Sequence, residues 1–225
     1  MATRLYCPAT AVSTPISPTP AATWEDVSIL QRVMTSTSKI ADPMATVSFS
    51  DADATNKDVL YRQYISAPLT VGQTITGSST FKGQIRALET DAGNNLFVTV
   101  AIYVHNGTSL TKSIVSIRRD TVEADATVLT NRTVSGPTQA TDYTTAADDR
   151  LVIEVGLSGD PAAGKSHSGS LRFGDAAATD LTEDDLSVVD LNPWLELTDT
   201  LTFDAEPATF RQLVVTQAVN RSAVY

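Results

Sequence analysis

Cysteine is nearly absent from this chain: Cys7 is the only one in 225 residues. A single thiol makes no intrachain bridge and no cysteine-rich zinc site, so the fold must rest on its hydrophobic core. Cys7 is read as a free thiol on a short strand, with pairing between subunits as the other reading. Histidine is almost as scarce, with His105 and His167 alone. Neither lies in an HExxH, CxxC or GxSxG setting, and metal or Ser-His-Asp chemistry needs at least one well-placed imidazole. Both are assigned to surface loops, His105 beside a hairpin turn and His167 in a Gly/Ser stretch. Basic residues are few as well, 16 Lys and Arg against 26 Asp and Glu, for a net charge of −10. That balance excludes general binding to a phosphate backbone, which needs clustered cations. No apolar run reaches the roughly 18 residues of a membrane-spanning helix. Residues 1–8 lack the apolar stretch of a secretion signal, so synthesis in a host cytoplasm is expected. No segment keeps an amphipathic helical period over three turns, and the glycines form no phosphate-cradling pattern.

What the chain does have is Thr, Ser, Ala and Val, the β-branched members of which suit pleated strands. Residues 96–105, Leu-Phe-Val-Thr-Val-Ala-Ile-Tyr-Val-His, read as a central strand covered on both faces. Asn106-Gly107 follows as a hairpin signal, with residues 112–118 as the return strand. Residues 44–49 alternate apolar and small polar side chains, the period of a half-buried strand. Further strands are expected over 59–65, 74–88, 127–134, 151–157, 168–173 and 194–203. Strands at this spacing, separated by Gly, Pro, Asn and Asp turns, indicate one all-β domain, a β-sandwich or jelly roll.

The two ends read differently. Residues 1–24 carry Pro8, Pro15, Pro18 and Pro20 among small residues after a short Arg4-Leu5-Tyr6 strand, and are expected to form an extended N-terminal arm. The sandwich is assigned to residues 25–204. Residues 205–225 are expected to be a C-terminal arm or a closing strand. Arg4, Leu5, Tyr6, Trp24, Phe210 and Val214 are the expected contact residues of the arms, with Trp24 also read as an anchor of the first edge of the core.

From Gly174 to Phe210 there are ten Asp or Glu residues and no Lys or Arg. Asp175, Asp180, Glu183, Asp184 and Asp185 offer hard oxygen ligands of the kind calcium takes, although their spacing is not that of an EF-hand loop. A solvated acidic loop, or one facing a basic partner, is the plainer reading. Asp51 and Asp53 form a smaller acidic pair. Paired carboxylates also serve glycoside hydrolysis, but adjacency in sequence does not set two of them across a cleft. No catalytic residue, cofactor or nucleic-acid partner is expected.

Several pieces resemble a group of tailed-bacteriophage proteins. They are Arg4-Leu5-Tyr6-x-Pro8 with its spacer and Trp24; Arg62-Gln63-Tyr64-Ile65-Ser66-x-Pro68-Leu69; Leu129-Thr130-Asn131-Arg132; and Asp149-Arg150-Leu151-Val152-Ile153-Glu154-Val155-Gly156. The most specific piece is Ser168-Gly169-Ser170-Leu171-Arg172-Phe173-Gly174-Asp175, continuing to Leu181, followed by Asn192-Pro193-Trp194. Together they run over most of residues 3–200. The resemblance implies a virion structural protein and brings no catalytic residue with it. The expectation is a head decoration or cement protein that cross-links capsid neighbours through its arms and forms homo-oligomers. A tail, neck or fibre component is the first alternative. A carbohydrate-binding module, with Trp194 or Tyr143 stacking on sugar, is the second. A hydrolase is disfavoured by the missing nucleophile and histidine patterns.

Overall fold

A computed structural model describes residues 2–11, 13–21, 23–39, 42–52, 55–175, 179–183, 186, 188 and 191–205. No described residue is helical, and the described residues form thirteen strands. The longest of them come from the most hydrophobic runs of the sequence. β4 (Lys57–Pro68), β7 (Leu96–His105), β8 (Leu110–Arg119) and β11 (Arg150–Gly159) join the short β2 (Gln31–Met34) in a sheet of order β2-β4-β11-β7-β8. β2 lies parallel to β4, and the other pairings are antiparallel.

The second sheet is built around β6 (Thr80–Glu89). One side of β6 pairs along its length with β9 (Thr130–Pro137). Its other side is shared: Phe81 to Gln84 pair with β13 (Trp194–Leu197), and Arg86 to Glu89 pair with β12 (His167–Phe173). β1 (Thr3–Tyr6) adds to β13, and β3 (Ala45–Asp51) adds to β12. Two short strands, β5 (Thr74–Ile75) and β10 (Tyr143–Thr144), form a ribbon of their own.

The two sheets enclose one core, as the sequence pattern requires of a β-sandwich. Val98, Val100 and Ile102 point inward from β7, Ile153 and Val155 from β11, and Ile85, Leu171, Phe173 and Leu195 from the facing sheet. β7 and β11 are buried on their other face too, as their unbroken hydrophobicity implies. The Asn106-Gly107 turn is present, with Gly107 at φ 92°, a conformation that side chains with a Cβ rarely adopt.

The expected N-terminal arm is corrected in one respect. It is extended, but it lies on its own domain. β1 pairs register by register with β13, Leu5 and Cys7 are 2% exposed, and Tyr6 N–H donates to the Ser36 carbonyl at 2.9 Å. Alternating burial along Thr3–Tyr6 makes β1 a sheet strand rather than a tether. The segment around Phe210 and Val214 lies outside the described residues.

Candidate functional site

The polar residues that could carry chemistry are gathered on the two outer faces of the sandwich. Each face is overlaid by a strap of the chain itself.

On the five-stranded sheet the strap is the proline-rich segment up to Trp24. Its anchor is Glu154, on the outward side of β11 and fully buried. Trp24 Nε1–H donates to Glu154 Oε2 at 2.6 Å, and Tyr103 OH and Gln63 Nε2–H each donate to Oε1 at 2.9 Å. The Ala21 amide donates to both oxygens at 3.2 Å. Burial holds the carboxyl above the usual range, and these donors pull it partly back. Arg32 adds a second tie, donating to the Pro18 carbonyl at 3.0 Å and to Gln63 Oε1 at 2.8 Å. Gly156 makes room for the indole: a Cβ there would stand 2.7 Å from the Trp24 ring and 2.0 Å from the Val59 carbonyl oxygen. Trp24, named both as an arm contact and as an anchor of the first core edge, is the plug of an internal cluster at 7% exposure, as an anchor would be.

On the six-stranded sheet the strap is the described part of the acidic segment, residues 179–183, 186 and 188. Trp194 is fully buried beneath it, its Nε1–H donating to the Leu181 carbonyl at 2.8 Å. The Arg4 guanidinium lies 3.6 Å from the centroid of the same indole. Arg4 also pairs with Asp180 at 2.9 Å and Glu196 at 3.0 Å, and Lys39 reaches Asp180 at 2.8 Å. Tyr6 OH donates to Asp180 Oδ2 at 3.1 Å. Lys82 faces Glu183 at 3.5 Å, Asn131 Nδ2–H donates to the Thr182 carbonyl at 2.9 Å, and Arg86 donates to the Val188 carbonyl at 2.6 Å.

The calcium candidates are thus separated by function. Asp180 and Glu183 face cations of their own chain. Asp175 is buried after the turn at Gly174, and one of its oxygens has no hydrogen-bond partner. Asp184, Asp185 and Asp53 lie outside the described residues. Among the described residues no three acidic, histidine or cysteine side chains converge as metal ligands.

The remaining candidates are placed as follows. His105 accepts the Gly107 amide at 3.0 Å and belongs to the hairpin turn. His167 was expected in a loop, but it opens β12 and is fully buried. Neither of its nitrogens has a hydrogen-bond partner, and its ring packs edge-on against Phe49 at 5.6 Å. Burial lowers its pKa. Cys7 is buried in the core, which raises its thiol far above the reactive range. Trp194 is covered, and Tyr143 is half-buried against the core with its OH donating to Asp149 at 2.7 Å. An open groove of about 550 Å³ lies between Lys82, Ser135, Glu183 and Glu196, and Phe81, its one aromatic, is 2% exposed.

Sequence reasoning did not find Glu154 or Glu89. Glu89 is 1% exposed, accepts the Leu96 amide at 2.9 Å and is pushed up to about 7 by burial and by Glu123 beside it. Glu154 is a lone carboxylate in an apolar run and Glu89 ends a mixed strand beside a turn, and neither setting carries a sign of what the side chain meets.

No protein-family model matches the chain, and no curated protein does. Solved structures offer distant likenesses. A CocE/NonD family hydrolase from Staphylococcus aureus is 8% identical, with a TM-score of 0.43 over 88% of this chain and 36% of its own. The chain therefore spans about a third of that hydrolase. The sugar-binding EclA C-terminal domain is 11% identical, with a TM-score of 0.22 over 59% of this chain and 76% of its own. A structure of infectious bursal disease virus, Gx strain, is 13% identical, with a TM-score of 0.22 over 81% of this chain and 50% of its own.

Proposed function

We propose that this protein is a structural component of a bacteriophage virion, a head decoration or cement protein that joins neighbouring subunits. One observation carries the reading. Among the described residues, Glu154, Arg4, Lys39 and Asp180 on the outer faces are taken up in holding the two straps, which favours a self-covered block over a reactive cleft. The resemblance of residues 3–200 to tailed-phage proteins points the same way, and a low-charge Ser/Thr surface suits close packing against other subunits. Exposed apolar side chains remain at loop tips and flanks, among them Val71, Leu110, Leu186 and Val188. Contacts between subunits fall in this reading to sheet edges, loop tips and residues 206–225, because β1 is committed to its own sheet.

The test is binding of purified protein to virion heads and tails separated from one another, read by electron microscopy. Added density at regular positions on heads is the expected result. Density confined to tails or the neck would reassign the protein to that apparatus. Binding to neither, together with glycan binding on an array, would replace the reading with a carbohydrate-binding module.

A further inference from the structure

Among the described residues, β3 is an edge strand with an open side. It pairs with β12 from Ala45↔Phe173 to Asp51↔His167 without a register shift, and no second strand flanks it. The direction of its free groups follows from β12. The Thr90 amide donates to the Ser168 carbonyl at 3.0 Å, so Ser168 faces the β6 side. Alternation along an antiparallel ladder then turns Gly169, Leu171 and Phe173 toward β3. Their partners Phe49, Val47 and Ala45 are used by that pairing. The N–H and C=O groups of Thr46, Ser48 and Ser50 point outward.

The other edges of this sheet are partly covered. β9 meets β8 through Arg118 Nε–H to the Ser135 carbonyl at 2.9 Å and the Gln139 amide to the Ile114 carbonyl at 2.8 Å. β1 meets Ser36. β3 also lacks the devices that keep edges apart: no proline, no lysine and no bulge lie within it. Val47 and Phe49 are half-buried on its core side, and Met44, next to the strand, is 41% exposed.

We propose that β3 accepts residues 210–219 of a second copy of this chain as an added antiparallel strand. That stretch, Phe-Arg-Gln-Leu-Val-Val-Thr-Gln-Ala-Val, holds no Gly, Pro, Asp or Glu and is rich in strand-forming side chains. From 207 to the end the chain has two arginines and no acid, against a net charge of −10 for the whole. A basic strand therefore meets an acidic domain.

Direction selects a second copy over the same one. Asp204 N–H donates to the Pro68 carbonyl at 2.8 Å, at the far end of β4. Lys57, at the near end, pairs with Asp51 at the end of β3, and Tyr64 between them touches Phe173, opposite Ala45. The chain thus leaves the domain beyond the Ala45 end. A strand laid on β3 directly from there runs parallel to it, whereas every pairing in this sheet is antiparallel. A second copy can approach from the Asp51 end and donate its strand while receiving one, as in a two-fold exchange. The inference stands on the sheet edge and the sequence of 206–225, and does not depend on the virion reading.

The experiment is size-exclusion chromatography with light scattering on the full chain, a chain ending at Ala205, and the Ser48→Pro variant. Proline at 48 removes an outward N–H and leaves the β12 ladder whole. The full chain is expected as a dimer or larger, and both variants as monomers with unchanged circular dichroism. A synthetic 207–222 peptide is expected to bind the shortened chain and to lose at least tenfold in affinity when Ser48→Pro is also present. Should Ser48→Pro misfold, the shortened chain and the peptide decide alone. A monomeric full chain overturns the proposal, as does a shortened chain that keeps its oligomeric state. Hydrogen exchange adds a check: protection of the Ser48 amide in a monomeric full chain means that the strand closes its own sheet, which also overturns it.

Discussion

Glu154 has no solvent contact, and four donors from three parts of the chain converge on its one carboxyl group. A buried carboxylate costs several kcal/mol unless it is bonded, so the strap and the carboxylate stabilise each other. Trp24→Phe keeps the ring and removes one charged hydrogen bond; a loss of about 1–3 kcal/mol is expected from urea unfolding. Glu154→Gln is expected to cost at least as much, because its amide group turns a donor toward donors. A loss below about 0.5 kcal/mol in both would show the strap to be held by apolar contact alone. None of this was legible in Val-Ile-Glu-Val-Gly, which reads the same whether the carboxylate meets water or an indole. The partner that decides is 130 positions away in the sequence.

At the scale of the element, the sequence was most informative where a strand is covered on both faces. β7 lies where the unbroken run over 96–105 places it, and β11 needs only small adjustments at its ends. Short strands were harder. β1 was visible as Arg4-Leu5-Tyr6, but the prolines after it suggested an arm, and only pairing with β13 shows where it lies. β2 is four residues long and gains its place from a parallel neighbour, which no local pattern announces. The placement of β1 bears on truncation. Leu5 is core, so Leu5→Ala is expected to cost about 2–5 kcal/mol. Removing residues 2–20 should lower the melting temperature sharply, and a shortened chain that melts like the whole would refute the role given to β1.

At the scale of the whole molecule, two of the buried titrating groups, Glu89 and His167, oppose each other. Glu89 has a folded-state pKa above its unfolded value, so its contribution is present in acid and is lost as pH rises toward about 7. His167 has a lowered pKa, so its contribution is present above its unfolded value and is lost as pH falls. Unfolding free energies from pH 4.5 to 7.5 should separate them. The advantage of the wild type over Glu89→Gln is expected to shrink as pH rises, and its advantage over His167→Leu to shrink as pH falls below about 6.5. Parallel curves for all three proteins would show that neither group titrates in this range. The charge balance of the chain was legible from composition, but its arrangement was not. The acidic segment looked like a ligand set or a solvated loop, and it is a strap held by Arg4, Lys39 and Lys82 from distant parts of the chain. The pairing of β1 with β13 also has a consequence in time. Thr3 meets Leu197, so β1, the first described strand made, waits for β13, the thirteenth, before it has a partner. Contacts of such long sequence separation make folding slow. On the ribosome, a chain released before residue 197 has no β13 to receive its N-terminus, and its Leu5 stays in water. A chain that has reached β13 can close, whereas shorter fragments leave β1 without its partner.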